Sequence, residues 1–128
     1  MKFIYKLMKK LTCHCGGVEI QVKLPEEGFE KLVRCNCSLC KRRGYIMTPV
    51  DPGNFKLIKG KELLTLYQYH TKVAEHYFCS NCGIYTHHKM RSNPNMYGIN
   101  VACLEGIKPF ELENVVINDG ENHPLDKK

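Results

Sequence analysis

At 128 residues, 43% of them hydrophobic and 25% charged, the chain has the composition of one ordinary globular domain, and a disordered or fibrous polymer is excluded. Nineteen Lys and Arg against thirteen Asp and Glu leave a formal charge of +6, yet the cations are dispersed, so nucleic acid is not the expected partner. No segment is apolar for long enough to span a membrane, and residues 1–10 lack the apolar run and cleavage site of a signal peptide, so a reducing cytoplasmic location is expected.

In chain order, residues 1–11 read as an N-terminal extension ahead of Cys13-His14-Cys15. Val18–Leu24 alternates apolar and polar residues with period two, which predicts a half-buried strand that Pro25-Glu26-Glu27-Gly28 breaks. Leu32–Arg34 leads into Cys35-Asn36-Cys37-Ser38-Leu39-Cys40, and a short helical turn is expected from Ser38 to Arg43. Tyr45–Val50 is the next strand candidate, stopped by Asp51-Pro52-Gly53-Asn54. Further strands are expected at Phe55–Lys59, Leu64–Tyr69, Val73–Phe78, Ile84–Lys89 and Tyr97–Ala102. Arg91-Ser92-Asn93-Pro94-Asn95 reads as a loop, with a surface turn as the better reading of Asn93-Pro94-Asn95, and residues 119–128 as a turn followed by a frayed tail. The fold class is therefore all-β, in a single domain over residues 1–128.

Seven of the eight cysteines fall in three tight clusters, the third being Cys79-Ser80-Asn81-Cys82-Gly83 between two strand candidates. A Cys-X-X-Cys-Gly turn in that setting is a zinc knuckle, and paired thiolates in a reducing compartment favour zinc over a disulfide framework. Seven ligands do not divide into two closed sites of four. They divide into a closed four-thiolate site and an open three-thiolate site, and an open zinc position is where catalysis occurs. Spacing leaves two partitions: Cys13, Cys15, Cys79 and Cys82 against Cys35, Cys37 and Cys40, or Cys13 and Cys15 with two thiols of the middle cluster. The first is the cleaner, because it uses two bidentate clips and keeps three neighbouring thiols together. Lys41, Arg42 and Arg43 directly follow the middle cluster, where cations can hold a carboxylate-bearing ligand beside the metal.

The motifs Cys13-His14-Cys15-Gly16-Gly17-Val18, Cys35-Asn36-Cys37-Ser38-X-Cys40-Lys41 and Phe78-Cys79-X-X-Cys82-Gly83 resemble those of the glutathione-dependent formaldehyde-activating enzyme family, whose fold is described as a β-tent. The likeness runs from about Thr12 to the neighbourhood of Pro124. Arg91-Ser92-Asn93-Pro94, Tyr97-Gly98-Ile99 and Cys103-Leu104 look most like its centromere protein V branch. The resemblance implies a β-tent of short antiparallel sheets stapled by zinc, with Cys13, Cys15, Cys79 and Cys82 as structural ligands and Cys35, Cys37 and Cys40 as ligands of a labile catalytic zinc. It also implies a carbon-sulfur lyase that condenses formaldehyde with glutathione as co-substrate to S-(hydroxymethyl)glutathione, so that a small thiol and an aldehyde are the partners. On that reading Lys41, Arg42 or Arg43 neutralises glutathione carboxylates.

The remaining candidates have plainer readings. Cys103 is a small buried hydrophobe or, alternatively, a fourth ligand that closes the second site. His14 is exposed between two ligands; His70 and His76 are packed or surface residues; His87 and His88, adjacent on a strand, point to opposite faces. Tyr67, Tyr69, Tyr77 and Tyr85 are first of all strand residues. The rival function is a non-catalytic zinc-stapled binding module for a protein or nucleic acid, which requires Cys103 or a histidine to close the second site.

Overall fold

The alternation that begins at Val18 becomes strand β2 (Glu19–Pro25), which buries Ile20, Val22 and Leu24 on one face. The computed structural model describes residues 5–91 and 93–122. Strand β1 (Tyr5–Thr12) pairs antiparallel with β2, so most of the segment read as an N-terminal extension is part of a sheet. Its adjacent Leu7 and Met8 are both exposed while Leu11 is fully buried, which is why no alternating pattern marks it in the sequence.

Strand β3 (Val33–Cys35), helix α1 (Ser38–Arg43) and strand β4 (Met47–Val50) carry the middle cysteine cluster. Strands β5 (Phe55–Lys59), β6 (Leu64–Tyr67), β7 (Glu75–Cys79), β8 (Tyr85–Lys89) and β9 (Tyr97–Asn100) follow, and β10 (Val116–Asn118) closes the series. The strands form a three-stranded sheet, β1-β2-β5, and a seven-stranded sheet, β10-β3-β4-β9-β8-β7-β6. The expected antiparallel character holds except at β10, which runs parallel to β3. With one short helix besides, the protein is all-β.

Ile20 and Val22 of the smaller sheet join Val50 and Ile99 of the larger in one apolar core, together with Leu11, Val18 and Val101. All seven are at most 1% exposed, so their burial supplies the main driving force, about 1.5–3 kcal/mol for each large aliphatic side chain. Cys13 and Cys79 belong to the same core, which places one cysteine cluster at its margin.

Candidate metal centre and cavity

Two tight turns bring four sulfurs together at the edge of the core. One follows β1, where the Cys13 amide donates to the Val18 carbonyl and the Gly16 amide to the Cys13 carbonyl. The other is the β7–β8 hairpin turn, closed by the Gly83 amide on the Cys79 carbonyl at 2.7 Å; Gly83 has a φ of 77°, a conformation glycine adopts without strain. The sulfurs of Cys13, Cys15, Cys79 and Cys82 lie within 4.8 Å of one another, with Cys13–Cys15 at 3.6 Å and Cys15–Cys79 at 3.8 Å. Four thiolates at about 2.3 Å from one zinc ion stand roughly 3.8 Å apart, so the donor set fits a tetrahedral ion. Backbone N–H groups of Val18 and Gly17 point at the Cys13 and Cys15 sulfurs at 3.3 and 3.4 Å, further favouring thiolate charge. The exposed Cys15 thiol is accordingly drawn down to about 6, first by the Asn81 side chain and then by the Gly17 amide.

The second group is Cys35, Cys37 and Cys40, again within 4.8 Å of one another. Cys35 ends β3, Cys37 caps the N-terminus of α1 by accepting from the Cys40 amide at 3.3 Å, and Cys40 is buried on the helix. The three sulfurs compete for one charge. Cys37 is held far below the ordinary thiol range by hydrogen bonds from Cys35 and Cys40, while Cys40 is driven far above it by the same two neighbours and by burial. A divalent cation accommodates all three as thiolates, which is the chemistry this donor set fits. Among the described residues, no fourth Cys, His, Asp or Glu atom lies within 4.8 Å of all three.

Cys103 does not close this group. Its Sγ faces the Tyr85 carbonyl at 3.8 Å, and its thiol is pushed up to about 12 by burial and then by Cys13 and Cys82, which puts it beside the four-cysteine cluster instead. The closed second site that the binding-module reading requires is therefore not formed among the described residues.

The three-cysteine group opens onto a cavity of about 360 Å³. Two phenols stand beside the sulfurs: the Tyr69 hydroxyl donates to Cys37 Sγ at 3.6 Å, and the Tyr45 hydroxyl lies 3.8 Å from Cys40 Sγ. Tyr45 also accepts from the Tyr85 hydroxyl at 3.3 Å and meets Nδ1 of His88 at 3.3 Å. Burial pushes the Tyr45 hydroxyl well above its ordinary value, with Tyr85 and Cys40 adding to the shift, so it stays protonated at neutral pH. His88 is stacked on His76 at 5.6 Å, and both rings line the cavity. Burial is the main reason that His76 is lowered to about 4 and His88 to about 3; both are neutral imidazoles.

The cations at the cavity wall are Lys31 and Arg91, not the three that follow the middle cluster in sequence. Lys41 is exposed, Arg42 is exposed with its guanidinium on the Ser38 carbonyl, and Arg43 is half-buried with its guanidinium 4.1 Å over the Tyr85 ring. With Cys40 facing inward, helix α1 turns Lys41 and Arg42 outward, while Arg43, three residues on and on the same face as Cys40, packs on Tyr85. His14 and His70 are exposed. His87 and His88 do face opposite ways, His87 packing on Tyr77 and Phe55 away from the cavity. Tyr45, Tyr69, Lys31, Asn118 and Gly120 drew no site assignment from the sequence, and His76 stands opposite His88 only because a register shift between Tyr77 and Phe78 displaces the pairing by one residue from what counting outward from the knuckle gives.

A family model described as "Glutathione-dependent formaldehyde-activating enzyme" matches residues 8–116. This chain belongs to that family. The glutathione-dependent formaldehyde-activating enzymes are thus the frame in which both cysteine groups stand, each of which could hold a metal ion. The chain is also similar to a crystal structure of a Rhodobacter sphaeroides protein, a structural-genomics target, at 51% identity with a TM-score of 0.80, covering 85% of this chain and 99% of that one. No helix is long and apolar enough to cross a membrane among the described residues.

Proposed function

We propose that this chain is a zinc-dependent carbon-sulfur lyase of the S-(hydroxymethyl)glutathione synthase type, which joins formaldehyde to the thiol of glutathione or a related thiol and catalyses the reverse release. The observation that carries the reading is the three-thiolate group, open towards a cavity and flanked by two phenols. Family membership supports glutathione and formaldehyde as the substrates.

A zinc ion held by Cys35, Cys37 and Cys40 would supply an open coordination position at which an incoming thiol is kept as thiolate. The other requirements fall to side chains. Addition of a thiolate to an aldehyde carbon forms the carbon-sulfur bond, moves the carbonyl π pair onto oxygen, and requires a proton there. The hydroxyls of Tyr45 and Tyr69, each beside a cluster sulfur, would each turn a single O–H towards that oxygen as charge develops, Tyr69 giving up its bond to Cys37 Sγ. Tyr85 and His88 orient Tyr45 by occupying its other hydrogen-bonding directions. Lys31 and Arg91, which line the cavity, offer positive charge to glutathione carboxylates, alongside Lys41, Arg42 or Arg43, to which the family resemblance gives that role.

Exchange between formaldehyde, glutathione and the adduct is measurable by NMR magnetisation transfer. The zinc-loaded chain is expected to accelerate exchange above the spontaneous rate and Cys40→Ser to abolish the gain; no acceleration with the cluster fully loaded refutes the assignment.

A further inference from the structure

The segment after β10 lies against the three-cysteine group. The Asn118 side-chain amide donates to Cys35 Sγ at 3.6 Å. The Asn36 amide donates to the Asn118 carbonyl at 3.1 Å, and the Glu121 amide donates to Asn36 Oδ1 at 2.9 Å. Asn36 is the residue between Cys35 and Cys37, so the C-terminal segment grips the cysteine loop between two of its sulfurs. Gly120 approaches closest of all. A Cβ there would stand 2.4 Å from Cys35 Sγ, 2.8 Å from Cys37 Cβ and 3.2 Å from the Cys37 amide nitrogen. Its φ is outside the left-handed region, so space rather than torsion demands glycine. Both Asn118 and Gly120 lie beyond residue 116, where the family match ends, and the Asn118–Cys35 contact spans 83 positions of sequence.

We propose that Asn118 and Gly120 are positioning residues of the three-thiolate metal site. Three thiolates on one ion concentrate negative charge, which weakens the ion as a Lewis acid. An N–H donated to one sulfur withdraws part of that charge, and groups behind the ligands set both affinity and reactivity in this way. Asn118 supplies the N–H. Gly120 lets the strap lie close enough to deliver it and walls the cavity beside the sulfurs. The inference rests on the proposed metal site, but concerns how tightly and in what electronic state a metal is held.

The test uses the full-length chain loaded with zinc, then with cobalt(II). A chromogenic chelator in excess reports the release of each metal, and the phase absent from Cys40→Ser identifies the three-thiolate site. Asn118→Leu keeps the side-chain size and removes the N–H. It is expected to speed release of the Cys40-dependent metal by about tenfold, within the 10- to 100-fold typical of such partners, without changing the other phase. It should also shift the thiolate-to-cobalt charge-transfer band of that site, a change that a general loss of stability does not produce. Gly120→Ala should act in the same direction; if it fails to fold, Asn118→Leu decides alone. Unchanged release and an unchanged band in Asn118→Leu overturn the inference while two metals per chain leave the metal reading standing. A wild-type chain that binds one metal irrespective of Cys40 removes the metal reading and the inference with it.

Discussion

Gly98 on β9 faces His88 on β8, and the imidazole occupies the space that a side chain at position 98 would need. A Cβ on Gly98 would lie 2.3 Å from Cε1 of His88. Backbone and ring therefore fix each other, and the ring in turn meets the Tyr45 hydroxyl beside the cysteine cluster. Gly98→Ala is expected to cost about 1–3 kcal/mol by overpacking, read as a lower thermal midpoint. Adding His88→Ala to Gly98→Ala should recover part of that loss, because the clash is with the ring. A double variant whose destabilisation equals the sum of the two singles contradicts the relationship.

Tyr45 should separate catalysis from metal binding. In the proposed mechanism its hydroxyl donates to the developing oxyanion without ligating the metal, so Tyr45→Phe is expected to retain its metal and lose about 100-fold in turnover, the size seen when one preorganised donor to a developing oxyanion is removed. Metal analysis and steady-state rates on the same sample check this. A large loss of metal would recast Tyr45 as structural.

Acid sensitivity follows from buried neutral histidines. His87 is lowered from an ordinary 6.5 to about 4 by burial first and by Lys89 second. Between these values the unfolded chain binds more protons than the folded one, so the stability this group contributes is present above about pH 6.5 and falls as pH drops towards 4. His87 packs away from the cavity, so His87→Phe isolates the effect from the cysteine clusters. Thermal midpoints measured from pH 7 to pH 5 should fall less steeply for His87→Phe than for the wild type; parallel slopes would refute the assignment.

Metal removal should distinguish the two cysteine groups. Cys79 is fully buried in the core cluster, whereas Cys35 and Cys37 are half-buried at a cavity wall. Cys79→Ser, or strong chelation, is expected to unfold the chain, because binding free energy at a structural zinc site is folding free energy. Cys40→Ser should retain the β-sheet circular dichroism signal while one equivalent of zinc is lost. Unfolding of Cys40→Ser to the same degree would remove the distinction.

What the sequence determined by itself is local. Period-two alternation located β2, turn residues bounded β5, and the positions Ser38–Arg43 coincide with α1, because these depend on neighbours a few residues apart. Strand β1 escaped notice because Leu11 turns fully inward while the adjacent Leu7 and Met8 are both exposed, and β10 because three exposed residues carry no pattern. The cysteine spacing implied two metal-binding groups but left their partition open, since sulfurs far apart along the chain meet only through chain reversal. Tertiary structure decided that Cys13 and Cys15 meet Cys79 and Cys82, that Cys103 lies with them, and that Lys31 and Arg91 rather than the Lys41–Arg43 run border the cavity. It also brought Tyr45, Tyr69, Asn118 and Gly120 to the three sulfurs. Such contacts depend on sheet order and helix rotation, and both are set by which faces the whole chain buries rather than by any local run of residues.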